Sequence, residues 1–222
     1  MGNLIAPVLF FAAALFMHQR LEFLGLEIGL TFTYAKILPY LIELALLSWL
    51  LFGIHKVFLQ KYTRMVKRIF IILILIAGAG IAFVSNPIYE GDFTHSYRTV
   101  TLSEEKAEMY NEGLTMFALP GCPYCMDQIG TFNRIYKHFP SLQLNVIITS
   151  RDSSALNTYR KELPGEVEVS FSGDLGAMDA VIGGRYPSFI YKDSPETREV
   201  FHWHSNDFGV AAIDWMIDQN KH

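Results

Sequence analysis

The sequence predicts two unlike parts: a helical membrane region over residues 1–86 and an α/β domain over 99–222, joined by a polar linker, 87–98. Three observations predict this division. The chain is 51% hydrophobic, and the excess is crowded into its first 86 positions. Beyond residue 99, short apolar runs of strand type alternate with stretches of helical periodicity. The only two cysteines, Cys122 and Cys125, fall together where one such run feeds a helix.

Composition sets the outer bounds. A mean hydropathy of +0.23 is too apolar for an ordinary soluble domain, and 222 residues suggest one or two domains. A formal net charge of −4 gives no basis for nucleic-acid binding. The sequence carries no internal repeat, zinc-finger spacing or phosphate-binding glycine loop, so no cofactor is expected.

The membrane region holds three apolar segments. Residues 1–17 carry no charged side chain, the short limit for a span. A cleaved signal peptide is the rival reading, weakened by the absence of a positive leading segment and of a small-residue cleavage site. Residues 18–36, with Arg20, Glu22 and Glu27, are expected at the membrane interface. The second span, 37–54, is interrupted only by Glu43, with Pro39 expected in its first turn. An ionisable group at that depth points to function, or, with Lys36 on the same helical face, to a side chain reaching for the headgroups. The third span, 69–85, is uncharged, and its Gly78 and Ala82 form a small-xxx-small pair suited to close helix approach.

Between the second and third spans lie Lys56, Lys61, Arg64, Lys67 and Arg68 with no acidic residue. The positive-inside rule places this loop in the cytoplasm and everything after Ser85 outside it. That placement of the C-terminal part is the same for two spans or three.

In the α/β domain, Thr101 and Glu104 read as a capping box opening a helix over 102–111. A strand over 114–119 and a helix over 126–139 follow, the helix carrying Ile129, Phe132, Ile135 and Tyr136 at helical spacing. Next come a strand over 142–149 and helices over 153–163 and 175–182. Residues 186–191 and 198–204 read as a hairpin with Asp193-Ser194-Pro195 in its turn. A helix over 207–219 ends the chain.

The chemistry is read at Cys122-Pro123-Tyr124-Cys125. A thiol at the start of a helix faces unpaired backbone N–H groups and the positive end of the helix dipole, which favours the thiolate. The thiolate is the species that attacks disulfides. Cys122 is the expected exposed nucleophile and Cys125, one turn inside, the shielded resolving thiol. A zinc site of four cysteines has no second pair to complete it.

At these residues the chain resembles the thioredoxin-like disulfide oxidoreductases, and Pro123-Tyr124 between the cysteines matches the glutaredoxin version of the motif. The resemblance covers about residues 99–222. It implies a central mixed sheet with helices on both faces. A second matching element is Arg185-Tyr186-Pro187-Ser188-Phe189-Ile190, in which Pro187 takes the place of the cis-proline that faces the cysteines in this family. The resemblance implies that the Tyr186 backbone bonds an extended substrate segment, so Tyr186, Pro187, Pro123 and Tyr124 are the expected substrate-binding residues. Three departures are visible, the first being Arg185-Tyr186 before Pro187 where glutaredoxins carry Thr-Val. No glycine-rich acidic stretch for glutathione follows the hairpin, and Gly121 stands where thioredoxins carry tryptophan.

His202 and His204 share one face of their strand, and a solvent-facing pair is the expected state. A copper or zinc site joining them to the two cysteines is the alternative. The membrane region has no cysteine, so it cannot relay electrons by thiol exchange. The reading is a bacterial inner-membrane, multi-pass protein with a periplasm-facing thiol–disulfide oxidoreductase domain. Its expected partners are protein thiols or disulfides, the lipid bilayer, and a membrane redox partner or complex. The same motif serves oxidants and reductants whose potentials differ by roughly 150 mV, and a tethered domain without other thiols favours a reductase fed by a membrane partner. The alternatives are a binding or assembly subunit with an idle cysteine pair, and a copper-handling protein.

Overall fold

The structure, a computed structural model, describes residues 2–57, 62–94, 96–150, 154–172, 176 and 181–220. The chain divides into two compact units, Met1–Ile88 and Tyr89–His222.

The first unit is helical: α1 (Gly2–Phe16), α2 (His18–Glu27), α3 (Phe32–Val57) and α4 (Arg64–Ser85). Both α3 and α4 are long and apolar enough to cross a membrane, and α1 with α2, bent by 71° at their junction, forms a third candidate. The expected spans at 37–54 and 69–85 lie within longer helices, α3 extending the first at both ends and α4 the second at its start. Charged ends extend them because Lys and Arg are good helix formers whose heads reach out to water. Helix α3 therefore begins at Phe32, and Pro39 lies in its interior rather than in its first turn. The stretch expected at the interface supplies α2 and the start of α3. These two helices approach closely, since a Cβ on Gly25 would stand 3.1 Å from Ala35 Cα.

Glu43 does not reach for the headgroups beside Lys36. It is buried, with its Oε1 2.9 Å from His18 Nδ1, and Tyr40 meets the His18 ring edge-on at 4.6 Å. Gly78 and Ala82 are buried too, and the atoms nearest Gly78 belong to the Leu47 side chain of α3. The small-residue pair serves packing within the chain.

The second unit is built on a six-stranded mixed sheet. Its elements are β1 (Arg98–Thr101), α5 (Glu104–Ala107), β2 (Gly113–Ala118), α6 (Pro123–His138), β3 (Leu144–Ile148), α7 (Ser154–Glu162), β4 (Glu168–Phe171), β5 (Ser188–Lys192), β6 (Glu199–His204) and α8 (Val210–Gln219). The strand order is β1-β6-β5-β2-β3-β4. Strands β2, β3 and β4 run parallel, while β5 is antiparallel to β2 and β6, and β1 to β6. On one face Phe117, Ile190 and Val200 pack with Leu102, Ala107, Tyr110, Val181 and Ile182. On the other, Phe132 of α6 lies 6.4 Å from Phe189, and Trp215 of α8 lies 4.7 Å from Phe201, ring centre to ring centre. This is the expected thioredoxin-like layout, with the β5–β6 hairpin in place.

Two strands were not expected. Residues 98–101 alternate small β-branched and polar side chains over only four positions, and β4 is a short edge strand. Helix α5 is one turn long, and its N-cap is Ser103, with no side-chain cap bond, in place of a Thr101–Glu104 box. Within the stretch expected as linker, Glu90–Asp92 form a 3-10 turn that docks on the loop after β6, Gly91 N–H donating to Asn206 O at 3.1 Å. Ser153, Lys61 and most of the helix expected over 175–182 lie outside the described residues.

Candidate functional site

The three central strands bring the site residues to one end of the sheet. Strand β2 is fully buried and ends at Ala118, so the chain must turn before it can start a helix. The turn closes with Cys122 N–H donating to Leu119 O at 3.3 Å. Gly121 takes φ +66°, a conformation that side chains other than glycine rarely adopt. Cys122 is then the N-cap of α6, and Pro123 occupies the first helical turn, where its missing N–H costs nothing. The Tyr159 hydroxyl, from α7, donates to Leu119 O at 3.1 Å and ties the turn to its neighbour.

Cys122 and Cys125 form a disulfide, their Cα atoms 5.3 Å apart. Their surroundings differ. Cys122 is half-buried and Cys125 fully buried. The Cys125 N–H donates to Cys122 Sγ at 3.2 Å. In the dithiol state that donor and the helix dipole both favour negative charge on Cys122. Tyr124 is 73% exposed beside them.

Across the sheet, Phe117 pairs with Ser188. One step further along this register sets Pro187 beside Ala118, next to the cysteine turn. The Tyr186–Pro187 peptide bond is cis. Pro187 is buried, and Tyr186 packs partly buried on the core. The Ser188 hydroxyl donates to Arg185 O at 2.7 Å, closing the loop in front of the strand. Cys122, Pro123, Tyr124, Cys125, Tyr186 and Pro187 therefore gather at one edge.

The histidines behave differently from expectation. His202 and His204 do share a face, their rings 4.5 Å apart, but that face is covered. His202 is only 3% exposed, because it pairs with Ile190 in the middle of the sheet. Burial, then the neighbouring His204 and Arg98, lowers its pKa to about 4. His204 is half-buried, pairs with Ser188, and lies 3.4 Å from the serine hydroxyl through Nδ1. Burial and Arg185 also lower its pKa, against Asp207, which raises it. Among the described residues no group of three or more His, Cys, Asp or Glu is placed to hold a metal.

Sequence reasoning did not join Arg98, Arg185 and Ser188 to the site. Arg98 pairs with His202 from the unexpected strand β1, so its place depended on a strand the periodicity left unmarked. Ser188 and Arg185 flank a proline already singled out, and that adjacency was the available signal.

Fold and site together define a thioredoxin-like domain with a C-x-x-C disulfide at a helix start, opposite a cis-proline. No family model matches the chain, and no curated protein matches it. Solved structures similar to it include a secreted Mycobacterium tuberculosis disulfide oxidoreductase described as homologous to E. coli DsbE. That match has 11% identity, covers 52% of this chain and 98% of that one, and has a TM-score of 0.41. A putative thiol:disulfide interchange protein DsbE from Chlorobium tepidum matches at 12% identity over 56% of this chain and 91% of its own, with a TM-score of 0.39. A thioredoxin-like protein from Bacteroides caccae matches at 11% identity over 94% and 77%, with a TM-score of 0.34.

Proposed function

We propose that this protein is a membrane-tethered thiol–disulfide oxidoreductase acting on protein disulfides outside the cytoplasm. One observation carries the reading: two thiols of unequal exposure form a disulfide at the start of α6, beside the Tyr186–Pro187 loop. In the dithiol state the Cys122 thiolate attacks a substrate disulfide and releases one substrate thiolate. The Cys125 thiolate then attacks Cys122 Sγ, releases the second substrate thiol, and leaves the domain oxidised. Two electrons pass from the pair to the substrate, and a membrane redox partner restores the dithiol. The substrate segment lies along Tyr186 and Pro187, with Pro123 and Tyr124 on its other side.

The helical unit supplies the tether. Helices α3 and α4 have the length and composition of spans, and Lys56, Arg64, Lys67 and Arg68 crowd their adjoining ends. That bias supports a cytoplasmic loop, a bacterial inner-membrane location and a catalytic domain on the far side.

The test is trapping. Cys125→Ser removes the resolving thiol and is expected to accumulate mixed disulfides through Cys122, while Cys122→Ser accumulates few. In the reduced wild-type chain, iodoacetamide is expected to modify Cys122 well before buried Cys125. Equal trapping and equal alkylation at both positions would overturn the assigned roles.

A further inference from the structure

The second unit is acidic, with 19 Asp and Glu against 11 Lys and Arg, a balance of −8. One corner runs against that balance, and it adjoins the cysteine pair. Strand β6 runs parallel to β2, so its C-terminal end comes up beside the turn that holds Cys122. There His204 pairs with Ser188, the residue after cis-Pro187. Arg98 enters from β1 opposite His202, on the face that His202 and His204 share. Arg185 precedes Tyr186, and its carbonyl is held by the Ser188 hydroxyl at 2.7 Å.

Both arginines are exposed, and among the described residues neither has an ion-pair partner. Arg198, at the opposite end of β6, differs: it lies 3.6 Å from Glu104. Among the described residues the carboxylate acting on His204 is Asp207, set against the guanidinium groups of Arg185 and Arg98. Among the described residues the corner thus sets Arg98 and Arg185 against Asp207, in a unit whose overall balance is negative. Arginines of this kind match carboxylates by charge and by their forked donors.

We propose that Arg98, Arg185 and His204 form a subsite for an acidic polypeptide segment, so that the domain selects disulfides flanked by aspartate or glutamate. This deepens the disulfide-exchange reading and rests on it. A segment laid along Tyr186 places alternate side chains on the same side of its backbone, every 6–7 Å or so. Arg185 meets the side chain nearest the exchanging sulfur. Arg98, two strands and thus about 10 Å from β5, meets one further along. His204 stands on β6, the strand between β1 and β5, on the face that Arg98 shares, so its ring borders both carboxylate positions. The unit's net negative charge disfavours such a segment over much of the remaining surface, so the corner sets register as well as preference.

The experiment uses the full chain in neutral detergent micelles, reduced with dithiothreitol and then desalted. Its two thiols supply the two electrons for a single turnover, in which each peptide disulfide gives two thiols and the domain becomes the disulfide. Three peptides of one sequence carry Asp, Asn or Lys at the two positions flanking the cysteine. The expected order of second-order rates at low salt is Asp, then Asn, then Lys, with about a tenfold spread between the extremes that shrinks as salt is added. Arg185→Glu is expected to reverse the order, and Arg98→Gln to bring the Asp-to-Lys ratio down by about threefold. Arg198→Glu changes the net charge equally at the far end of β6 and is expected to leave the ratio in place. Equal rates for all three peptides, with exchange intact, overturn the subsite alone. A ratio that shifts equally with Arg198→Glu also overturns it, as a bulk charge effect. Absence of exchange with every peptide overturns the exchange reading and the subsite with it.

Discussion

His18 Nδ1 lies 2.9 Å from Glu43 Oε1, and the two side chains are buried together between the first bent pair of helices and α3. The pair joins residues 25 positions apart and fixes where the α1–α2 break sits on α3. Removing one partner leaves the other buried without compensation, which costs about 3 kcal/mol, whereas replacing both with apolar groups is close to neutral. Glu43→Leu and His18→Leu are each expected to lower the unfolding midpoint of the full chain in micelles, and the double variant to recover most of the loss. Additive losses would show that the pair is not coupled.

Gly78 is in contact with Leu47 inside the same unit. A Cβ there would stand 2.7 Å from Leu47 Cδ2, the movable end of a side chain. Gly78→Ala is therefore expected to be tolerated with a modest loss. Gly78→Leu needs α4 to move away from α3 and is expected to cost about 1–3 kcal/mol. Thermal unfolding in micelles measures both, and an unchanged midpoint for Gly78→Leu would contradict the α3–α4 contact.

Most of the second unit was legible because its signals are local. The buried run before Cys122, the Ile129–Phe132–Ile135 stripe and the hairpin around Asp193-Ser194-Pro195 are written in adjacent residues. The cis bond at Pro187 was legible only through the family resemblance, because the residues alone fit a trans proline at a strand start equally well. What the sequence concealed depends on contacts between distant segments. Strand β1 is defined by pairing with β6, about a hundred residues later. His202 reads as a surface residue until β1 and β5 flank it on both sides. Glu43 looked toward Lys36, its near neighbour on one helical face, because nothing in the sequence reveals that α1 and α2 fold back to present His18.

His202 gives the second unit an acid sensitivity whose sign is fixed by burial. Its pKa in the folded state is about 4, below the ordinary 6.5. Above pH 6.5 neither the folded nor the unfolded state is protonated, and the full stability is present. As the pH falls, the unfolded chain takes up the proton first, so stability declines down to about pH 4 and then levels off. The difference amounts to about 3 kcal/mol. Urea midpoints at pH 7, 5.5 and 4 are expected to fall in that order, and His202→Gln to flatten the part of the decline that this residue causes. A wild-type midpoint that holds steady from pH 7 to 4 would contradict the buried neutral imidazole.

The orientation of the chain turns on a small set of charges. Lys56 ends α3, and Arg64, Lys67 and Arg68 open α4, with no acidic residue among them. Each such residue resists transfer to the outer side, and the bias acts on short loops such as this one. A reporter fused after Gln60 is expected to behave as cytoplasmic and one fused after the C-terminus as exported. The N-terminus separates two arrangements. Helix α1, at 15 residues, extends about 22 Å, short of a hydrocarbon core of about 30 Å. If α1 and the bent α2 cross together, a reporter at the N-terminus reads as cytoplasmic; if they lie on the outer side without crossing, it reads as exported. In either arrangement the C-terminal reporter is exported. Replacing Lys56, Lys61, Arg64, Lys67 and Arg68 together with glutamine is expected to mix the orientations and to lower the fraction of Cys122 open to a membrane-impermeant thiol reagent in reduced cells. A C-terminal reporter that reads as cytoplasmic in the wild-type chain would overturn both the topology and the compartment proposed for the cysteine pair.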